Sequence, residues 1–151
     1  MNTEKIQSEF QIVGSRIVKF NLKNDFALLE RDTKKRLVDA SYELGSITEF
    51  EDKIFGIVNL YIKVDAKNKL KQKLSLNLII EGCFTVSKGT EIEKFKNMLG
   101  INGCTALYSI ARSFIISVTS QALAGGEIIL PMINTFKLIE QGEKTTDTKN
   151  K

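Results

Sequence analysis

From Ile101 to Ala124 the chain carries a single charged residue, Arg112, although Lys and Glu are common elsewhere. A stretch this poor in charge must be covered, and the fold has to supply the cover. Taken as a helix at about 100° per residue, it places Leu107, Ile110, Ala111, Phe114, Ile115, Val118 and Ala122 on one broad arc, the pattern of a helix laid on a sheet. On the back stand Thr105, Ser109, Ser113 and Ser120 with Tyr108 and Ile116, where a solvated helix would carry Lys or Glu. The arrangement leaves three readings open: a core helix, a membrane span, and a helix enclosed within an oligomer. A span needs roughly 20 mostly apolar residues. Arg112 and six Ser, Thr or Gln residues interrupt positions 109 to 121, which disfavours that reading.

The first two thirds of the chain alternate with period two, the mark of strands with one buried and one wet face. Phe10, Ile12, Val18, Phe20 and Leu22 fall on even positions, with Gln11, Ser15, Lys19, Asn21 and Lys23 opposite. Residues from Asn24 to Lys35, with the run ERDTKK, read as a connection. A second strand carries Val38, Ala40, Tyr42 and Leu44 until Gly45 and Ser46 disturb it. A third carries Ile54, Val58, Leu60, Ile62 and Val64, and a fourth Leu70, Leu74, Leu76, Leu78, Ile80, Phe84 and Val86. The short link Asp65–Lys69 makes the last two a hairpin. The expectation is an α+β fold: a four-stranded antiparallel sheet, with a long helix and a short C-terminal helix packed on one face.

The long helix starts near Thr90, where Thr90-Glu91-Ile92-Glu93 offers an N-cap and early acidic residues. Gly100 and Gly103 each cost about 1 kcal/mol against Ala, so a kink or break is expected near Asn102. The helix should stop at Gly125-Gly126, followed by the apolar loop Glu127–Pro131. A last helix from about Met132 to Gln141 presents Phe136, Ile139 and Met132 on one side. Residues 142–151, GEKTTDTKNK, contain nothing apolar and are expected to be disordered, leaving one domain over 1–141.

Chemistry-bearing constellations are scarce. The chain has no His, the commonest general base and metal ligand. It has no phosphate-binding glycine loop, and its two cysteines, Cys83 and Cys104, lack both an activating partner and metal-ligand spacing. An enzyme, a metal and a cofactor are therefore not expected. Two buried free thiols in a cytoplasmic protein account for the cysteines, and the first ten residues lack the apolar run of a signal peptide. Nucleic-acid binding is the rival from another class, because Lys67, Lys69, Lys71 and Lys73 cluster on one hairpin near Lys34-Lys35-Arg36. A net charge of only +4 favours a solvated edge instead.

Several local matches, in order, carry a family resemblance. Phe10-Gln11-Ile12 opens the first strand, and Gly82 with Phe84 closes the fourth. Leu107 to Ser120 contains the pair Ala111-Arg112 and then Ile115, and Leu130-Pro131-Met132 leads into the last helix. From Phe10 to about Ile139 the chain resembles the SecB family of export chaperones. The resemblance implies a homo-tetramer, a dimer of dimers with the long helices between sheets. Tyr108, Arg112, Ile116 and Ser120 would then lie at the oligomer interface. It also implies an apolar groove for unfolded preproteins, without cofactor or ATP. The groove residues carried over are Val38, Tyr42 and Leu44 from the second strand, Ile128, Ile129, Leu130 and Met132 from the loop, and Phe136 and Ile139 from the helix. For the loop, a simple fold-back that closes the domain is an equal alternative.

The chain departs from the family in charge, with 22 Lys plus Arg against 18 Asp plus Glu. Where export members carry acidic residues that dock the motor SecA, this chain has Lys19, Lys23 and Asn77. Coupling to SecA is therefore not expected, since rim charges set partner choice. A SecB-like chaperone dedicated to a single client, such as an antitoxin, is the alternative the resemblance leaves. No membrane insertion is implied.

Overall fold

The computed structural model describes residues 8–25, 35–123 and 127–147. Four antiparallel strands, β1 (Gln11–Asn24), β2 (Lys35–Phe50), β3 (Lys53–Lys67) and β4 (Lys73–Ser87), form one sheet in the order β1-β4-β3-β2. Helix α1 (Ile92–Met98), a π-helical turn (Leu99–Gly103) and helix α2 (Cys104–Ala122) follow as one rod, and α3 (Thr135–Asp147) comes last. The expected α+β architecture is what the chain adopts.

The two central strands alternate as their sequence dictates. Ile54, Val58, Leu60, Ile62 and Val64 on β3 and Leu74, Leu76, Leu78, Ile80, Phe84 and Val86 on β4 are all buried. Leu70 is not part of that face. It sits in the β3–β4 turn, 79% exposed, where Asn68 Oδ1 accepts from the N–H groups of Leu70 and Gln72 at 3.0 and 2.9 Å. The β2–β3 link is tighter than expected. Gly45 does not end the strand. The β2–β3 register shifts between Leu44 and Ile47, and β2 continues to a turn at Glu51 and Asp52, with Glu51 at φ 53°.

On β1 the even-numbered face holds only in part. The register with β4 shifts between Ile12 and Gly14 and again between Ile17 and Lys19. Each bulge moves the side-chain alternation by one position. Between them Ile17, opposite Ile80, turns to the helix side and Arg16, opposite Glu81, to the outside, where the two ion-pair at 2.8 Å. After the second bulge Phe20 and Leu22 take up the core face as expected. Val18 is left 49% exposed.

One face of this sheet is covered by the helical rod, through Phe95, Leu99, Cys104, Leu107, Ala111 and Ile115, all at 0% exposure. Each large side chain so buried stabilises by about 1.5–3 kcal/mol, which outweighs the helix cost of Gly100 and Gly103. The expected break near Asn102 takes the form of the π turn, an extra residue absorbed without ending the rod. The buried stripe of α2 is rotated relative to the expected arc. Cys104, Tyr108 and Thr119 are inside, whereas Ile110 is 37% exposed and Ala122 is on the surface. The rod of 31 residues is long and apolar enough to cross a membrane by length and composition, but it spends its apolar stripe on the sheet.

Burial pushes the Cys104 thiol up to about 12, and burial, aided by Glu81, also raises that of half-buried Cys83. At pH 8, where the thiolate is the reactive form, Cys83 is expected to react first and Cys104 only as the protein unfolds. Mass spectrometry after a maleimide pulse checks this; equal labelling of both thiols in the native state would contradict the packing.

Candidate functional site

The residues after α2 run back along that helix, and side chains of α2 hold them there. Tyr108 Oη donates to the Pro131 carbonyl at 2.6 Å, and Arg112 Nε donates to the Leu130 carbonyl at 3.0 Å. The Ile128 N–H donates to Thr119 Oγ1 at 2.8 Å, while the Thr119 hydroxyl donates to the Ile115 carbonyl at 2.6 Å. Arg112 Nη1 also reaches Met132 Sδ at 3.2 Å. Burial raises the Tyr108 phenol, with Arg112 opposing the shift.

Pinned in this way, the loop alternates like a strand laid on a helix. Ile128 (2% exposed) and Leu130 (0%) point into the core and Ile129 (55%) points outward; the alternation ends at Pro131, and Met132 (81%) is exposed as well. The fold-back and the exposed apolar loop are thus both present, on alternate residues. Asn134 then caps α3: its Oδ1 accepts from the Phe136 N–H at 3.1 Å and its carbonyl from the Leu138 N–H at 3.2 Å. Helix α3 buries Leu138 and leaves Phe136 61% exposed, so Phe136 and Ile139 do not share one buried side. The helix begins at Thr135, after Met132, and runs to Asp147. Good helix formers such as Glu140, Gln141, Glu143 and Lys144 carry its backbone past Gln141. Gly125 and Gly126 and residues 148–151 lie outside the described residues.

Val38, Tyr42 and Leu44 are half-buried on the core face of β2, an edge strand. α3 packs beside β2 and the π turn. Gly100 marks where they meet: a Cβ built there would lie 3.4 Å from Ile139 Cδ1 and 3.8 Å from the Tyr42 hydroxyl. The structure therefore brings Tyr42 and Ile139 together, with Val38 and Leu44 along the same strand. Ile129, Met132 and Phe136 face solvent on the outside of the loop and helix. Met132 also lines a small cavity of about 90 Å3 with Tyr108, Arg112 and Ile133.

Of the four residues carried over to an oligomer interface, Tyr108 and Arg112 are engaged by the loop, Ile116 is half-buried and Ser120 is exposed. The open face of α2, with Ser109, Ile110, Ser113, Ser117 and Ser120, carries no charge. Lys19 and Lys23 are exposed and Asn77 half-buried on the far side of the sheet. Sequence reasoning missed Thr119, whose place on a polar-looking position hid its burial. Asn134 was findable, as a preferred N-cap residue just before Thr135-Phe136-Lys137-Leu138.

The Thr119 hydroxyl ties the loop backbone to α2. Thr119→Val keeps the shape but leaves the buried Ile128 N–H without its acceptor, at a cost of about 1–3 kcal/mol. Thr119→Ser should restore most of that loss. Urea unfolding of both variants measures it, and a Thr119→Val variant as stable as the parent would count against the latch.

Antiparallel strands in the order β1-β4-β3-β2, a helical rod with a π turn on one face and a loop latched back onto it before a last helix constitute the SecB-like fold. Among solved structures, the chain is similar to a SecB-like chaperone of Mycobacterium tuberculosis in complex with a ChAD peptide from the HigA1 antitoxin. The TM-score is 0.57 at 14% identity, over 83% of this chain and 91% of that one. A protein of unknown function from Streptococcus agalactiae aligns with a TM-score of 0.48 at 12% identity, over 82% of this chain and 97% of that one. By sequence, the chain matches no protein-family model and no curated protein.

Proposed function

We propose that this chain is a holdase chaperone, a non-enzymatic and ATP-independent binder of unfolded polypeptides. The observation that carries the reading is the line of exposed apolar side chains, Ile129, Met132 and Phe136, on a loop and helix latched to a SecB-like core. Apolar burial against such a line needs little sequence preference, and Met suits varied partners. The half-buried seam of Val38, Tyr42, Leu44 and Ile139 continues the surface along an edge strand, where an extended client can add its backbone. Ile128 and Leu130 support this surface from below.

The similar mycobacterial chaperone holds an antitoxin peptide, which favours a single-client chaperone over a general export factor. Lys19 and Lys23 support the same choice, since a face with lysines at these positions does not offer carboxylates to SecA. A tetrameric assembly in the cytoplasm belongs to this reading. The uncharged face of α2, including Ile116 and Ser120, is its contact surface, and Tyr108 and Arg112 act through the loop they hold. Light scattering of a chemically denatured test protein tests the function. Suppression near one tetramer per client is expected, and no suppression at a large excess would overturn it. A pull-down from the native host identifies whether an antitoxin or exported chains are the clients.

A further inference from the structure

The helices cover one face of the sheet; on the other, residues of all four strands line a trough of about 510 Å3 that reaches from β1 to β2. Cross-strand register sets what lines it. Lys19 lies opposite Ile79, Asn21 opposite Asn77 and Lys23 opposite Ser75, while Lys63 meets Asn77 from the other side. One rung further, Lys67 and Lys73 lie directly opposite each other, a like-charge pair that is unfavourable on its own. Among the described residues, five lysines stand at this end of the face, against Asp25, Asp39, Asp65 and, beside Tyr61, Glu43, and Lys63 and Asp65 pair with each other at 3.2 Å.

We propose that this trough docks an extended acidic polypeptide segment, held by Lys19 and Lys23 over a floor of Asn21, Ser75 and Asn77, while Lys63 stays with Asp65. Lys19 and Lys23 are separated by four residues of strand, about 13 Å, which matches carboxylates spaced four residues apart in an extended chain. The amides and hydroxyls of the floor both donate and accept hydrogen bonds, as a peptide backbone requires. A nucleic acid fits less well. Its continuous phosphates would run over Asp39, and Tyr61, the one aromatic ring lining the trough among the described residues, is tied to Glu43 at 3.1 Å rather than presented for base stacking. The site is separate from the client surface, which lies on the helix side of the sheet.

Fluorescence anisotropy of the full chain with a labelled peptide of alternating Glu and Ser tests the proposal at low salt. Binding is expected, weakening as salt rises. Lys19→Glu with Lys23→Glu should weaken it by about tenfold or more while aggregation suppression is unchanged. Should that variant fail to fold, Lys19→Gln with Lys23→Gln serves, with a several-fold loss expected. Unchanged affinity in the folded variants overturns the proposal, as does equal binding of a Lys and Ser peptide. Tighter binding of a single- or double-stranded oligonucleotide would replace it with a nucleic-acid surface. Loss of aggregation suppression together with peptide binding would show that the two sites are one.

Discussion

Met132→Asp combined with Phe136→Asp is expected to reduce suppression of aggregation by about tenfold or more, with folding and assembly intact. Met132 is 81% exposed and Phe136 61%, so neither change disturbs the core, and surface substitutions of this kind cost within about 0.5 kcal/mol. Covering two such side chains with a client's apolar surface contributes about 1.5–3 kcal/mol each. Losing even half of that shifts the affinity by tenfold, at about 1.4 kcal/mol per decade. Leu130→Asp would be a poor probe, because Leu130 is fully buried and an unpaired carboxylate there breaks the fold. Light scattering reads the activity, while thermal melting and sedimentation confirm the variant. If the folded double variant protects a denatured protein as well as the parent, the client surface is elsewhere.

What was legible in the sequence follows how local each determinant is. β3 and β4 lie in the middle of the sheet, so every second residue is buried and their alternation runs the length of both strands except at Thr85, which is buried too and donates to the Ile54 carbonyl at 2.9 Å. β1 is an edge strand with two bulges, and a bulge leaves no period-two mark: Val18 reads as a core position and lies outside. The rod was legible as a helix, but its rotation on the sheet was not. That rotation depends on which side chain meets Gly56 and Gly82, a matter of tertiary contact. The loop was legible only in composition. Its alternation comes from Tyr108, Arg112 and Thr119, residues 9 to 23 positions away whose polar groups looked like surface chemistry.

The contact between helix and sheet that sets this rotation is itself testable at Gly82. A Cβ there would lie 2.6 Å from Leu107 Cδ2 and 2.9 Å from Phe84 Cε2, both on side chains at most 1% exposed. Gly56 makes the same allowance for α1 and the π turn, 2.6 Å from Leu99 Cδ1. Gly82→Val therefore forces α2 away from β4, at a cost of about 3 kcal/mol. For a domain of this size that lowers Tm by about 6–12 °C. Gly14→Val is the control, since a Cβ at Gly14 meets nothing within 4 Å. Leu107→Ala alone opens a cavity and costs about 2–5 kcal/mol. In the Gly82→Val background it removes the closest atom in conflict and leaves only Phe84 to adjust, so the double variant should be more stable than the two single losses predict, by about 1–3 kcal/mol. Strict additivity would mean that Leu107 does not set the spacing. Because α2 carries Tyr108, Arg112 and Thr119, moving it also moves the loop that presents Ile129 and Met132. Gly82→Val should then lose client protection under conditions where the chain is still folded, and Leu107→Ala in that background should recover part of it.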